Sequence, residues 1–424
     1  MQKLLLIVFI TFSIHFYFGQ NIEKIEQELK ENPTTRIQNA AILRKHYAAF
    51  ATDSLFNLGT YLIQAGLKDE NLPVVMYGKL VLSSFYNLNG KTEISIRNLN
   101  DCIIYYKKNG NIERLADAQN LLGIAYIYAG QYNSAANSFV KSIKNSEKLD
   151  ESTESFLAQL NLSEVYIREE KLDLAEVEAK SFIEKCKRIN ANNGLKKGYD
   201  CLAKINMQRN NVDLGIYYYE KALQLAMKDK SILGRASAFN NIAIAHFATD
   251  KLDLSYQYFK KALELRIKLG RPQEIAESYY NLGDWNFFQE KYDEALSYYQ
   301  LSLNKAQENN LNREIADALD KISMCYESKG DYKTSLEYAR KYQEVEAENY
   351  KRNRTTEFDL QRTIYEIERE EQSLKQKKRE DKIENNVHIE QGRGRIIIIS
   401  FAVITALMIG FYYLLSSRRK ANAA

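Results

Sequence analysis

Proline is the scarcest structural signal in this chain of 424 residues, since it occurs only three times, at Pro33, Pro73 and Pro272. Proline breaks the interior of helices, so a chain with so little of it is free to be mostly helical. Such a length exceeds what one hydrophobic core needs, which predicts either two or three domains or one elongated array.

Cysteine is also rare, and its spacing matches no metal-binding motif. The four cysteines stand apart, without a CxxC or CxxH pair: Cys102, Cys186, Cys201 and Cys325. Cys186 and Cys201 could form a disulfide in an exported protein, whereas the alternative is that all four are small buried apolar side chains.

Motifs for catalysis are missing as well. The sequence contains no GxxxxGK[ST], GxGxxG or HExxH motif, and His46 and His246 fall at positions where a helix would bury them. The 59 basic and 55 acidic residues give a net charge of +4, which is too balanced to indicate nucleic-acid binding. We therefore expect no enzyme activity, no cofactor and no metal site.

A long sequence repeat fills most of the chain. Seven windows that begin at residue 76 and at every fortieth position up to 316 align without an insertion. Position 7 of each window is always Leu or Ile, and positions 3, 8 and 20 are always Gly, Ala or Ser. Agreement of four columns over seven windows indicates one structural unit that is used repeatedly.

The spacing within a window predicts two helices joined by a tight turn. Apolar residues recur at helical intervals at positions 3, 7, 10 and 11, and again at 17, 20, 24, 27 and 28, with a polar break near position 15. The small residues at positions 8 and 20 would let the helices approach closely, beside large residues at 11 and 24. One pair cannot bury its own apolar face, so we expect stacking of pairs to create the core.

These columns resemble the tetratricopeptide repeat family, whose pattern has Leu-Gly at 7 and 8, Tyr at 11, Ala at 20 and an aromatic at 24. Residues 120–143 and 281–303 carry this pattern nearly whole, and the window from 196 departs most, with Asn206 and Gly215 at the Tyr and Ala positions. The usual unit of that family has about 34 residues, so the extra residues of this repeat must extend helices or links. HEAT-type repeats have a similar length and are the alternative, although they lack the small-residue columns.

The resemblance implies an all-α fold, an α-solenoid of about eight helix-turn-helix repeats over residues 20–350. Residues 36–66 look like a degenerate first pair that caps the array, because Leu43 and Leu55 stand where other pairs have small residues.

The resemblance also implies a concave groove, lined by the first helices, that binds a protein or peptide. Positions 2, 5, 6, 9 and 12 would face this groove, and Asn161, Asn241 and Asn281 share position 6. An Asn amide can pair with a peptide backbone through one donor and one acceptor. The full set of candidate groove residues is Asn120, Asn161, Lys204, Asn241, Asn281, Asp284 and Phe287. Alternatively, the Asn residues only bridge neighbouring helices.

The two ends of the chain predict export and membrane anchoring. Residues 1–19 have a basic start and a short apolar centre, as a secretory signal peptide does, although an uncleaved anchor is the alternative. Near the other end, residues 396–415 carry no charge, which predicts a transmembrane helix at 395–415. The basic tail at 416–424 would then be cytoplasmic and the repeats periplasmic, or the repeats would be cytoplasmic if no signal is present.

Residues 351–394 form a charged segment before the predicted anchor. Leu360, Ile367 and Leu374 recur at every seventh position, which is typical of a short coiled coil that could join two copies of the chain. A lone charged helix that is stabilised by i,i+4 pairs is the alternative.

The whole layout resembles membrane-anchored tetratricopeptide sensors of Bacteroidota-type bacteria, without their output domain. Two functional hypotheses follow. The first is a non-enzymatic binding scaffold that is anchored to the inner membrane. The alternative is the sensory input module of a signal-transduction protein of the histidine kinase, helix-turn-helix regulator, cyclase or phosphatase type, whose output domain is absent or is supplied by a partner.

Overall fold

Helices account for all the regular secondary structure in the part of the chain that the structure covers. The structure, a computed structural model, describes residues 22–50, 52–149 and 151–348, with isolated residues between 362 and 410. Residues 22–31 form α1, and α17 is described over 332–348. The helices between them are α2 (Arg36–Phe50), α3 (Thr52–Lys68), α4 (Leu72–Leu88), α5 (Thr92–Lys108), α6 (Ile112–Tyr128), α7 (Tyr132–Ser146), α8 (Thr153–Arg168), α9 (Leu172–Arg188), α10 (Asn192–Gln208), α11 (Val212–Lys228), α12 (Ile232–Phe247), α13 (Leu252–Leu269), α14 (Pro272–Phe288), α15 (Tyr292–Glu308) and α16 (Asn312–Ser328).

Eight helix pairs follow α1 in the described residues, from α2–α3 to α16–α17, which confirms the predicted number of pairs. Most helices have the same length, and from α9 onward each helix begins at the twentieth position after the start of the one before it. Links within pairs and between pairs are therefore equally short. Each repeat is longer than the usual unit of the family, and its extra residues lengthen the helices and not the links.

The core confirms the predicted columns and lies between successive pairs as well as within them. One cluster joins Ala295 and Tyr299 of α15 to Ala318, Ile322 and Cys325 of α16. These are positions 20 and 24 of one window and positions 3, 7 and 10 of the next. Two successive pairs share this cluster, so each pair depends on its neighbour to bury its apolar side chains.

The helices of a pair approach closely at position 8 where this residue is glycine. A Cβ atom added to Gly123 would lie 2.5 Å from Cε1 of Phe139, and one added to Gly283 would lie 2.5 Å from Cε1 of Tyr299. Both rings are at position 24 and are fully buried. The predicted contact between the small residue at position 8 and the large residue at position 24 is therefore confirmed in the α6–α7 and α14–α15 pairs.

The start of the array is more extensive than the sequence indicated. Leu43 and Leu55 are buried in the α2–α3 pair, but α1 precedes that pair and packs on it. The Tyr47 hydroxyl of α2 donates a hydrogen bond to Glu26 of α1, and Leu29 of α1 is buried. The predicted capping pair is therefore itself covered by a further helix.

Several predicted segments lie outside the described residues. These are the signal at 1–19, the tail at 416–424, and most of the segments at 351–394 and 395–415. Among the residues with described positions, no helix is both long enough and apolar enough to cross a membrane.

A left-handed residue follows nearly every helix of the array, at every twentieth position. In the link after α6, Gly130 has φ +71°, its N–H donates to the Ile127 carbonyl, and the N–H of Gln131 donates to the Tyr126 carbonyl at 2.8 Å. This is the Schellman motif, which satisfies carbonyls at the end of a helix. The same left-handed position is held by five glycines and by eight other residues: Glu70, Glu170, Asn190, Asn210, Lys230, Asp250, Glu290 and Asn310.

Gly130→Ala should destabilise the protein by about 1–2 kcal/mol, because the left-handed region costs an L-residue that much. The new Cβ meets no atom within 4 Å, so the backbone alone would account for the loss. The measurement is urea unfolding of the full chain followed by circular dichroism.

The adjacent Gln131→Ala is the control for this prediction. Gln131 has φ −93° and makes no capping hydrogen bond with its side chain. Its replacement should change the free energy of unfolding by less than about 0.5 kcal/mol. Equal effects of the two variants would contradict a backbone origin.

Candidate ligand-binding surface

The inner face of the array is formed by the first helices of the pairs. Successive first helices pack on one another at α2–α4, α4–α6, α6–α8, α8–α10 and α14–α16, whereas no two successive second helices pack extensively in the described part. The first helices are therefore closer together, which places them on the inner side of the curve. This is the side on which the sequence placed the candidate groove.

Two of the three asparagines at position 6 bridge neighbouring first helices. Asn161 Nδ2 donates to Asn120 Oδ1 at 2.8 Å, and Asn281 Nδ2 donates to Asn240 Oδ1 at 3.1 Å. In each bond the donor is at position 6 of one window and the acceptor is at position 5 of the window before it. The structure thus shows the bridging alternative for these two. Asn240 is buried, whereas the amides of Asn120, Asn161 and Asn281 are partly exposed and keep further hydrogen-bonding capacity for a ligand.

The junction between these two bridges is different. Asn241 has the same position as Asn161 and Asn281, but position 5 of the window before it holds Asp200, and no bond joins the two. Asp200 is partly exposed, yet its Oδ1 is buried and has no hydrogen-bond partner among the described residues. Burial raises the pKa of this carboxyl to about 6, although Lys204 and Lys196 act in the opposite direction. Lys204 itself is exposed, one helical turn from Asp200.

Asp284 belongs to a polar cluster that joins three helices. Its Oδ1 accepts a hydrogen bond from the Tyr299 hydroxyl at 2.6 Å and lies 3.2 Å from Lys321 Nζ. Burial and the neighbouring carboxylate raise the pKa of Tyr299, so its hydroxyl stays protonated and donates. Lys321 is also 5.7 Å from the centre of the Tyr280 ring. Asp284 is therefore held in place and presents little free charge.

Phe287 lies mainly in the core and not in the groove. It is partly buried against the α15–α16 cluster, and its ring centre is 5.5 Å from that of Tyr292. The next residue, Phe288, is 62% exposed and packs edge-on against Phe247 at 5.1 Å. The exposed aromatic side chain is thus at position 13, directly after the predicted one.

Five exposed large apolar side chains lie on the first helices α12, α14 and α16, and two of them, Ile232 and Leu233, belong to the first turn of α12. The other three are at positions 9 and 13 of their windows: Ile244, Phe288 and Met324. We call these three residues the apolar strip. Ile244 and Met324 share position 9 with Asp284, and Phe288 is one helical turn after Asp284. The repeat pattern does not reveal the strip, because position 9 is apolar at residues 244 and 324, two periods apart, but is Asp284 in the window between them.

An ion pair near the start of the array was also missed. Arg44 Nη1 and Nη2 donate to the two carboxylate oxygens of Asp117 at 2.6 and 3.1 Å. Although burial opposes its ionisation, Arg44 holds the pKa of Asp117 below its usual range. The pair joins α2 to α6 over a sequence separation that no repeat column predicts.

The cysteines and histidines of the described residues belong to the packing. All four cysteines are free and buried, and burial raises the pKa of Cys102 to about 12. His246 is buried with its ring 5.6 Å from that of Tyr258. In the described part of the chain, no three His, Cys, Asp or Glu side chains are grouped so that they could hold a metal ion.

Comparison with known families identifies the repeat. A family model described as "Tetratricopeptide repeat" matches residues 234–308 and, in an overlapping second match, 274–345. The predicted resemblance is thereby confirmed over residues 234–345, which include the apolar strip. No curated protein matches this chain.

Three solved structures are among those to which this chain is similar. A Rap protein complexed with competence and sporulation factor is 13% identical, with a TM-score of 0.48 over 82% of this chain and 99% of that one. Aspartyl phosphate phosphatase F from Bacillus subtilis is 14% identical, with a TM-score of 0.45 over 77% and 93%. A Signal Transduction ATPase with Numerous Domains protein from Pyrococcus horikoshii, with a tetratricopeptide repeat sensor, is 15% identical, with a TM-score of 0.48 over 68% and 46%. This chain thus covers less than half of the length of that ATPase.

Asp200 should make stability depend on pH. A carboxyl with a raised pKa keeps its proton in the folded state while the unfolded chain, with a pKa near 4, has lost it. The contribution of the Asp200 carboxyl to the free energy of unfolding is therefore most favourable below about pH 4. As the pH rises to about 6, the free energy of unfolding falls by up to about 3 kcal/mol. Asp200→Asn should equal the wild type in stability near pH 4 and exceed it at pH 7.5.

Urea unfolding at the two pH values tests this expectation. Glu337→Gln, which changes an exposed carboxyl in the interior of α17, is the control and should show the same pH dependence of stability as the wild type. A difference between wild type and Asp200→Asn that stays constant with pH would rule out the buried carboxyl as the cause.

Proposed function

We propose, since residues 234–345 are tetratricopeptide repeats, that the array is a non-enzymatic scaffold that binds a protein or peptide along its inner face. The repeat fold supports this function because stacked pairs present a long, continuous surface on one side of the array. Within that surface, α12, α14 and α16 present exposed apolar side chains beside polar groups, and a bound peptide would contact both.

The apolar strip is the observation that carries the proposal. Ile244, Phe288 and Met324 are 48%, 62% and 38% exposed, although comparable side chains at neighbouring positions are buried. Exposed apolar groups that lie together and are rimmed by polar residues mark interaction sites. Here the rim consists of the Asn240–Asn281 bridge and the Asp284–Lys321 pair. The strip would bind apolar side chains, while the amides and charges of the rim would fix the direction of the ligand.

We also propose that residues 395–415 anchor the array to the inner membrane, with the repeats in the periplasm and the tail at 416–424 in the cytoplasm. The uncharged run at 396–415 matches the thickness of a bilayer as one helix. The basic start and apolar centre of residues 1–19 support export of the repeats. The anchor would hold the binding surface near the membrane.

Peptides selected from a displayed random library on the full chain should lose at least tenfold in affinity, about 1.4 kcal/mol, for the Ile244→Ala/Phe288→Ala double variant. Both side chains are exposed, so their removal should leave the fold intact. Isothermal titration measures the affinity. Leu174→Ala/Leu254→Ala is the matched control, since these leucines are 49% and 43% exposed on second helices. Equal binding to all three proteins would place the peptide site elsewhere.

A reporter fused after Ala424 tests the membrane arrangement. If residues 395–415 span the membrane as proposed, a reporter that works only in the cytoplasm should be active at this position. A second fusion after Glu348, ahead of the anchor, should show the reverse pattern. Cytoplasmic activity at both positions would refute export of the repeats without affecting the proposed peptide binding.

A further inference from the structure

The outer surface of the array contains a groove between the second helices α5 and α7. Because second helices are spaced more widely than first helices, α6 is left as the floor between them. The walls are contributed by α5 and α7, and the groove has a volume of about 570 Å³. This surface is separate from the inner face that carries the proposed function.

Four lysines line this groove, and no acidic residue does. Lys107 comes from α5, Lys141 and Lys144 from α7, and Lys148 follows α7. None of the four has an ion-pair partner among the residues that the structure describes. Elsewhere on the surface, lysines such as Lys185 and Lys196 are paired with Glu147 and Asp229. The positive charge of the α5–α7 groove is therefore not compensated within the array.

The repeat itself does not require these lysines. One period further on, at the α7–α9 junction, the equivalent residues are Glu147, Ser181, Glu184 and Arg188. Two periods further on, at the α9–α11 junction, they are Lys187, Lys221, Gln224 and Lys228, and Lys187 is paired with Glu184 at 2.7 Å. The scaffold accepts acidic or neutral residues at these positions, and of these three junctions the α5–α7 groove alone has lysine at all four.

The floor of the groove is apolar, and its wall is fixed by a hydrogen bond. Ile112, Leu115 and Leu122 of α6 line the bottom. Asn145 of α7 donates to Gln119 Oε1 of α6 at 2.8 Å, which ties the wall to the floor. A ligand for this groove thus needs an apolar side as well as negative charge.

We propose that the α5–α7 groove binds an acidic, amphipathic helical segment of a partner protein. The apolar face of that helix would contact the floor on α6, and its carboxylates would contact the lysines of both walls. An amphipathic helix in a groove is a common mode of peptide recognition.

The arrangement of the charges favours a row of carboxylates over one phosphate group. Lys141 and Lys144 are one turn apart on α7, and Lys148 follows the end of that helix, so the three charges are spread along one wall. Charges spread along a wall match acidic residues that recur with the same spacing on a facing helix. The groove also lacks arginine, the residue that binds phosphate in a bidentate manner.

Fluorescence anisotropy with the full chain in detergent tests the proposal. The probe is a labelled helical peptide with leucines on one face and glutamates on the other. Lys107→Gln/Lys141→Gln/Lys148→Gln should weaken its binding at least tenfold. The control Lys187→Gln/Lys221→Gln/Lys228→Gln changes the equivalent residues two periods further on, and should alter binding less than about twofold. Raising the salt from about 50 to 300 mM should weaken binding to the wild type, because charge pairs at a surface are screened.

Three results would overturn the proposal. One is equal loss in both triple variants. Another is undiminished binding of a peptide with lysines in place of the glutamates. The third is failure of the acidic peptide to bind while ATP or vesicles of anionic phospholipid bind through the same lysines. Circular dichroism checks that both triple variants are folded, and peptide binding to the inner face remains a separate measurement.

Discussion

Close approach of two helices at a small residue governs the geometry within the helix pairs, and it is seen most directly where that residue is glycine. At Gly123 and Gly283 the partner ring occupies the volume that a Cβ would need, so the two helices cannot be packed in the same way with a larger residue. The ring then reaches through to the next pair, where it contacts positions 3, 7 and 10. Tyr299 shows both contacts, since it lies against Gly283 of its own pair and belongs to the cluster with α16. One contact thus sets the geometry within a pair and the stacking between pairs.

Stacking of this kind uses only part of each helix and leaves two surfaces open. The inner face is narrow, because first helices pack on one another, and its polar residues are largely engaged in bonds between neighbours. The outer face is wider, and its grooves have the floor of a first helix between two second helices. The apolar strip and the α5–α7 groove therefore differ in shape for the same reason, which is the curvature that the small residues allow. They lie at different ends of the array, in the seventh and third pairs and their neighbours.

The fold was predictable from the sequence because the same pattern of small and apolar residues recurs in every window. Seven windows report the same columns, so the burial of Leu82 or Leu282 did not depend on any one residue. The candidate site was less predictable because its decisive features occur once. The bond between Asn161 and Asn120 and the absence of one at Asp200 depend on which residue stands at position 5 of the window before, and a column of identical asparagines does not show it. Phe287 and Phe288 are adjacent in sequence, and only the packing of α15 shows which of them is exposed.

Because the links between helices are equally long, the backbone alone does not determine which helices pair with each other. The backbone repeats at every twentieth position, so a helix displaced by one element would still meet turns of the correct length and hand. The side chains repeat only at every fortieth position, and position 28 holds Ile or Leu in the six windows from 76 to 276, where position 8 holds Gly, Ala or Ser. If the chain were displaced by one helix, the Ile or Leu of position 28 would therefore occupy the close contact in which position 8 has Gly, Ala or Ser. The alternation of small and large residues excludes this misfolded arrangement, which the backbone alone would tolerate.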